Sequence, residues 1–247
     1  MERLQSLYDQ LIALIPEEDI DRYLACGCSA GAQYSAMDRR LLIVEKLPKI
    51  GDMPHESGCC CDSSHSSNSS HDACGCGHSH SNASPGDNSH AHPHSASAHK
   101  EHRPFGGAVN STDFSGAIPK LCRHLLGISA SQWPECIAKT YLYKVAPMAG
   151  KPSSALLAQQ HDLCGQILSE EIRVFDPTHV LFLTGWSAVW DFDFPIYPLL
   201  KGETTEAVGR AENGAHILVS RYAIRDSEDK FVSDIVAAFE ALYANEA

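Results

Sequence analysis

The sequence has no hydrophobic run near the length of about 20 residues that is needed to cross a bilayer. Its first stretch is charged throughout, and its apolar residues recur at the three- and four-residue spacing of an amphipathic helix: Leu4, Leu7, Leu11, Leu14 and Ile15. This pattern is typical of a helix packed on a core and not of a signal peptide. We therefore expect a cytoplasmic protein that does not engage a membrane.

Positive charge is also scarce. Lys and Arg total 19 against 31 Asp and Glu, which gives a formal net charge of −12 at pH 7. The overall field of such a protein does not steer it towards nucleic acid, although a local cluster of cations can still bind a phosphate. No internal repeat and no nucleotide-cofactor motif is evident in the sequence.

Large apolar residues are missing from the middle of the chain. Between Ser57 and Lys100 there is no Leu, Ile, Val, Phe, Tyr, Trp or Met, whereas His55 to His102 holds ten of the 14 histidines and five of the ten cysteines. Such a stretch buries too little surface to offset the entropy of ordering. We expect residues 57–102 to be a loop insertion that stays disordered unless a ligand orders it.

The Cys and His residues of this insertion predict a transition-metal-binding segment. Without a secretion signal the compartment is expected to be reducing, where clustered cysteines favour metal over disulfides. Thiolate and imidazole together suit Zn²⁺, Ni²⁺, Co²⁺ or copper, and we expect Zn or Ni first. The spacing is not that of a zinc finger. The candidate ligands are Cys59, Cys60, Cys61, Cys74, Cys76, His78, His80, His90, His92 and His94.

Two alternatives accompany the metal hypothesis. The segment can be a low-complexity spacer that binds metal only incidentally. A separate C-x-C pair, Cys26 and Cys28, either joins a metal site or consists of buried free cysteines. A physiological role for the segment would be metal storage, buffering, delivery or sensing.

The flanks, residues 1–56 and 103–247, are predicted to form a single discontinuous α/β domain. Short apolar strands at Leu41–Val44, Val180–Thr184 and Ile217–Val219 alternate with helices, of which Ser153–Phe175 is the clearest. A strand or extended edge is expected near residues 140–145. This alternation predicts a three-layer α/β/α fold with a short, mainly parallel central sheet. Two mid-helix carboxylates, Glu170 and Glu171, are interpreted as a solvated face.

A ligand site is expected beyond the carboxyl ends of these strands. The loops that qualify are residues 45–52, 185–190 and 220–226. Basic residues near the strand ends either form a local anion site or are ordinary surface charge: Lys46, Lys49, Lys144, Arg221 and Arg225. Trp186 and Trp190 either stack a base or seal the helix–sheet layer.

Three blocks of the flanks resemble an uncharacterised branch of the uracil-DNA glycosylase-like superfamily. They are GAQYSAMDRRLLIV, KTYLYKVAP followed four residues later by PSSALLAQQ, and ILSEEIRVFDPTHVLFLTGW. The likeness covers roughly residues 30–50 and 135–245. It implies hydrolysis of an N-glycosidic bond in a base flipped from DNA, with a first-loop carboxylate, Glu45 or Asp52, orienting water. Lys144 matches the middle block of that branch, and substrate contacts are expected from Lys46, Lys144, Trp186 and Arg221, which lie near the strand ends.

The chain departs from this branch where the chemistry would occur. Glu45 stands in place of the Gly that follows the first strand in that branch, and Tyr141 in place of the Asn of the middle block. The last strand is followed by Arg221 and not by the His of many members. Three functions stay open: a glycosylase-like protein that binds DNA or a nucleotide, a metal-handling protein on a non-catalytic scaffold, and a scaffold whose insertion docks a partner protein.

Overall fold

The apolar segments of the flanks form the centre of one mixed sheet. The computed structural model describes residues 1–48, 116–199, 204–221 and 227–244. The predicted insertion, residues 57–102, lies outside this described part, so its disorder and its role as a separate segment stay predictions. None of the described helices is long and apolar enough to span a membrane.

The strands of the described part are nine. They are β1 (Tyr23–Ala25), β2 (Ser29–Ala30), β3 (Leu41–Glu45), β4 (Ile137–Tyr141), β5 (Val145–Pro147), β6 (His179–Phe182), β7 (Ile196–Pro198), β8 (Thr205–Arg210) and β9 (His216–Ser220). The helices are α1 (Glu2–Ile12), α2 (Ala117–Leu126), α3 (Trp133–Cys136), α4 (Ser154–Phe175) and α5 (Glu228–Ala244).

A seven-stranded sheet runs in the order β2-β4-β3-β6-β9-β8-β7, and β1 pairs separately with β5. Strands β4, β3, β6 and β9 are mutually parallel, whereas β2, β8 and β7 join antiparallel at the two sides. The prediction of a mixed α/β fold is therefore confirmed. The sheet is parallel only in its centre, because the outer strands are connected through short hairpins and edge pairings.

Helices pack against the central strands through two separate hydrophobic clusters. Leu42 and Val44 belong to a cluster with apolar residues of α1 and α4, whereas Leu41 and Ile43 belong to a cluster with α2 and α5. Successive side chains of a strand point to opposite faces, so the unbroken apolar run of β3 supplies both clusters.

Local sequence accounts for the boundaries of α4. Ser153 lies in extended conformation before the helix, and its Oγ accepts a hydrogen bond from the Leu156 backbone N–H at 3.1 Å. At the other end Asp176 adopts a left-handed conformation with φ of 45°, followed by Pro177, which cannot continue the helix. The helix predicted at Ser153–Phe175 is present with its first residue as the cap.

The segment predicted as one strand near residues 140–145 is two strands, β4 and β5. After β4 the chain follows β3 for two more residues, because Leu142 and Tyr143 donate backbone hydrogen bonds to the carbonyls of Glu45 and Lys46. The chain then turns at Lys144 and pairs as β5 with β1.

Candidate functional site

The carboxyl ends of the four parallel strands meet at one side of the sheet, which we call the carboxyl edge. Leu183 donates its backbone N–H to the Val44 carbonyl at 2.8 Å, and Gly185 donates to the Ser220 carbonyl at 2.9 Å. The described parts of the predicted loops, residues 45–48, 185–190 and 220–221, therefore lie next to each other. Residues 49–52 and 222–226 lie outside the described part.

Glu45 ends β3 at the carboxyl edge and is only 8% exposed. Its Oε2 lies 3.4 Å from the Nζ of Lys139, which is itself buried and lies over the ring of Tyr141 at 5.2 Å. The Lys139 ammonium thus lies within ion-pairing distance of the Glu45 carboxylate. The carboxylate can accept a hydrogen bond from water, as the glycosylase hypothesis requires. The second predicted carboxylate, Asp52, lies outside the described residues.

Lys144, the predicted phosphate contact, is completely buried. Its Nζ donates to Glu171 Oε2 at 2.7 Å and to Thr140 Oγ1 at 2.6 Å, and both side chains of the ion pair are 0% exposed. Glu171 Oε1 accepts hydrogen bonds from the Tyr8 hydroxyl and from the Cys28 backbone N–H. The interpretation of Glu170 and Glu171 as a solvated face is therefore wrong, because both side chains are buried. Lys144 holds α4 to β4 from within the core.

Burial also governs the other titratable groups around this ion pair. Desolvation raises the pKa of the Tyr8 hydroxyl and of the Cys28 thiol well above their ordinary values, and the nearby Glu171 carboxylate raises both further. Metal binding requires a thiolate. Cys28 therefore fits the alternative of a buried free cysteine better than that of a metal ligand.

The remaining predicted contacts of the carboxyl edge are joined through Glu206 of β8. Glu206 Oε2 accepts the Trp186 backbone N–H at 2.7 Å, and its Oε1 lies 3.6 Å from Arg221 Nε. Trp186 is half-buried and packs on the core, whereas Trp190 is 64% exposed. Of the two tryptophans, Trp190 thus offers the solvent-facing ring.

A shallow cavity of about 370 Å³ opens beside this cluster, lined by Trp186, Ser187, Pro198, Leu199 and Glu206. Lys46, at the start of the first loop, is half-buried and is not among the residues that line this cavity. The other two predicted basic residues, Lys49 and Arg225, lie outside the described part of the chain. The cavity therefore combines an aromatic wall with a carboxylate that a neighbouring arginine already compensates.

All ten predicted metal ligands lie outside the described residues: Cys59, Cys60, Cys61, Cys74, Cys76, His78, His80, His90, His92 and His94. Within the described part there is no group of three or more His, Cys, Asp or Glu side chains arranged to hold a metal ion. The metal assignment thus continues to depend on the sequence of the insertion.

Sequence reasoning missed the partners that engage the predicted charges: Tyr8, Lys139, Thr140, Glu171 and Glu206. The one available signal was chemical, because a Lys or Glu within an apolar face is seldom buried unless it is paired. No protein-family model and no curated protein matches this chain.

Proposed function

We propose that the chain is a cytoplasmic metal-handling protein that binds Zn or Ni through residues 57–102. This metal-binding segment is inserted in a uracil-DNA glycosylase-like α/β/α scaffold. The observation that carries this proposal is the density of soft and borderline ligands, ten histidines and five cysteines between His55 and His102. Storage, delivery and sensing all use this one property of binding several ions.

The scaffold part of the proposal rests on the helix packing. Helices α1 and α4 share one hydrophobic cluster of the sheet, and α2 and α5 share the other. Two helix pairs on opposite faces of parallel strands are the arrangement that a three-layer α/β/α fold requires. This helix packing supports the fold that the sequence resemblance implies and has no bearing on catalysis.

The carboxyl edge supports metal handling over base excision. Lys144, which the resemblance marks for substrate binding, is 0% exposed and neutralised by Glu171. Arg221 lies against Glu206, and Glu45 against Lys139. Two of the cations nominated for phosphate binding, Lys144 and Arg221, are thus already compensated by carboxylates, which weakens attraction to a DNA backbone.

A calorimetric titration with Zn²⁺ and with Ni²⁺ tests the proposal. We expect more than one ion per chain at neutral pH and loss of most binding near pH 5, because Cys and His ligands must release protons. A variant lacking residues 57–102 should lose this stoichiometry. The matched control His124→Asn changes an exposed histidine of α2 and should bind as many ions as the unmodified chain. If the deletion variant still bound as many metal ions as the unmodified chain, the proposal would be wrong.

A second candidate is binding of DNA or a nucleotide at the carboxyl edge. The observation that favours it is the exposed ring of Trp190, whose backbone N–H donates to the carbonyl of Trp186, since base–aromatic stacking tolerates any base. We expect no uracil release from DNA, because Glu45 occupies the position of a small residue and Tyr141 that of a base-reading amide.

The assay for the second candidate measures uracil release and DNA affinity at low salt. Glu45→Gln is the informative variant, with Glu240→Gln, exposed on α5, as its control. Robust release that is lost only in Glu45→Gln would establish the enzyme function instead. If neither the unmodified chain nor the variants release uracil, and DNA binding is lost when Trp190 is replaced, the carboxyl edge binds DNA without catalysis.

A further inference from the structure

Two histidines begin neighbouring strands at the end of the sheet opposite the carboxyl edge. His179 is the first residue of β6 and His216 the first of β9, and the two are paired in register. The ring of Tyr243, in α5, packs against both imidazoles, with centroid distances of 5.4 and 4.4 Å. Phe239, one turn earlier in α5, meets His179 edge-on at 4.9 Å. These four rings join the last turns of α5 to the sheet.

The imidazole of His179 has a polar partner at each ring nitrogen. Nδ1 lies 2.7 Å from Thr178 Oγ1, and Nε2 lies 3.0 Å from the Tyr243 hydroxyl. Both partners are hydroxyl groups, which can donate or accept, so each neutral tautomer of the ring finds a suitable pair. The side chain is 0% exposed. A neutral His179 is therefore fully accommodated at this position.

A protonated His179 would not be accommodated in the same way. Within the described part of the chain it forms no ion pair with a carboxylate, and the nearest fixed charge is Arg39, whose guanidinium lies over the Tyr243 ring at 5.9 Å. Desolvation above all, then Arg39 and His216, lowers the pKa of His179 from 6.5 to about 4. Water is thus the group that can stabilise the imidazolium, and it reaches the ring only if a covering element moves.

Most of the elements that cover His179 are firmly held. Strand β6 is paired on one side with β3 and on the other with β9. Arg39, just before β3, donates to the Leu125 carbonyl of α2 at 3.1 Å. The Arg40 backbone N–H donates to Thr178 Oγ1 at 2.8 Å, and the Arg40 guanidinium pairs with Asp176. Movement of any of these groups would break sheet or interhelix hydrogen bonds.

The last turn of α5 is held by much less. Phe239 is 0% exposed, whereas Leu242 is half-buried and Tyr243 is 38% exposed. In the described part of α5 beyond Phe239, Leu242 and Tyr243 are the side chains that pack on the sheet side. Segments with few buried contacts open at a lower free energy than the rest of a fold. Lifting this turn would bring water to His179 Nε2 while Phe239 stays in the core.

We propose that His179 and Tyr243 form an acid-sensitive clasp, in which the neutral imidazole holds the last turn of α5 on the sheet and protonation releases that turn while the rest of the fold stays closed. On release the Tyr243 hydroxyl moves into solvent, and the imidazolium donates to water. The open state binds one proton more than the closed state, so the clasp is at full strength above pH 6.5 and weakens as the pH falls towards 4. This device does not depend on the proposed metal binding.

Amide hydrogen exchange of the 247-residue chain, followed by NMR and corrected for the intrinsic exchange rate at each pH, tests the clasp. The Leu242 and Tyr243 amides should be protected at pH 7, and their protection should fall about tenfold per pH unit between about pH 5.5 and 4.5. The Ile235 amide, in the middle of α5, should stay at least about tenfold more protected at each pH. His179→Gln, whose side chain does not titrate, should remove the pH dependence at Leu242 and Tyr243, whereas His124→Gln, exposed on α2, should keep it.

A second variant keeps the test decisive if His179→Gln does not fold. Tyr243→Phe removes the hydroxyl from an exposed residue and should raise opening of the last turn about fivefold or more at pH 7, because Nε2 loses its partner. The control Tyr197→Phe, exposed on β7, should leave opening within about twofold. Protection at Leu242 and Tyr243 that is absent at pH 7, constant with pH, equal to that of Ile235, or unchanged in Tyr243→Phe would overturn the clasp.

Discussion

At the scale of single residues, the buried Lys144–Glu171 ion pair links helix α4 to the end of β4. Each charge is fully buried, and Thr140, Tyr8 and the Cys28 backbone complete the hydrogen bonds of the carboxylate. Because a buried ion is tolerated only with a complete set of partners, removing one member exposes the other to an apolar medium. The pair thus tethers α4 to the turn after β4, at the base of the carboxyl edge.

The first prediction concerns this pair. Lys144→Met should lower the free energy of unfolding by about 3–5 kcal/mol, because it leaves Glu171 buried without its cation. Lys144→Met combined with Glu171→Leu should recover part of that loss, since the double variant buries no charge but leaves the Tyr8 hydroxyl and the Cys28 N–H without their acceptor. Urea unfolding measures both, with exposed Lys151→Met as the control. A loss below about 1 kcal/mol in the single variant would contradict the account of the buried tether.

The second prediction concerns His179, whose ring is fully buried between Thr178 Oγ1 at 2.7 Å and the Tyr243 hydroxyl at 3.0 Å. Burial, with lesser effects of Arg39 and His216, lowers its pKa from 6.5 to about 4. Between these two pKa values the unfolded state therefore binds a proton at His179, whereas the folded state does not. Stability contributed by the neutral ring is present above pH 6.5 and is lost as the pH falls towards 4.

The loss of stability from His179 over this range should amount to about 3 kcal/mol. Urea midpoints measured from pH 7 to pH 4 should fall less steeply in His179→Gln than in the unmodified chain. The control His124→Gln, exposed on α2, should keep the original slope. Parallel pH profiles for His179→Gln and the unmodified protein would show that this buried ring is not the acid-sensitive group.

At the scale of elements, predictability follows how much of a segment is buried. Strands β3, β6 and β9 are apolar runs covered on both faces, so the sequence pattern alone locates them. Strand β8 reads TEAVGR and carries too few apolar residues to predict, because one-sided burial near the sheet edge suffices there. The burial of Lys144 could not be predicted, since no periodicity indicates its pairing with Glu171, 27 residues away.

The third prediction concerns the start of α4. Ser153→Ala removes the acceptor for the Leu156 backbone N–H and should cost about 1 kcal/mol of stability. Ser154→Ala, one residue later and also exposed, is the matched control and should be neutral or slightly stabilising, because alanine is the better helix former. Chemical unfolding of both variants makes the comparison. Equal effects at the two positions would mean that the cap does not set the helix boundary.

At the scale of the whole molecule, the sequence predicted strands whose ends form the carboxyl edge, but not how the charges at that edge are paired. The predicted strands β3, β6 and β9 are parallel neighbours, so their carboxyl ends meet on one side of the sheet. The compensation of the charges at that edge depends on long-range pairs such as Glu206 with Arg221, which no local pattern encodes.

The fourth prediction concerns removal of the predicted insertion, residues 57–102. In the described part of the chain both hydrophobic clusters consist of residues outside 57–102, and residues 57–100 contain no large apolar side chain that could extend them. Removal of residues 57–102 should therefore leave a cooperative thermal transition with little change in midpoint. Calorimetric melting of the deletion variant beside the 247-residue chain, both with chelator, measures this. An insoluble variant, or one without a cooperative transition, would show that the segment is part of the folded core.

The metal content of the untagged protein, purified from its native host without chelator, tests the central claim most directly. The account predicts more than one bound transition-metal ion per chain, chiefly zinc or nickel, and almost none in the variant lacking residues 57–102 expressed in the same host. A metal-free native protein, or a deletion variant that retains the same metal content, would contradict it.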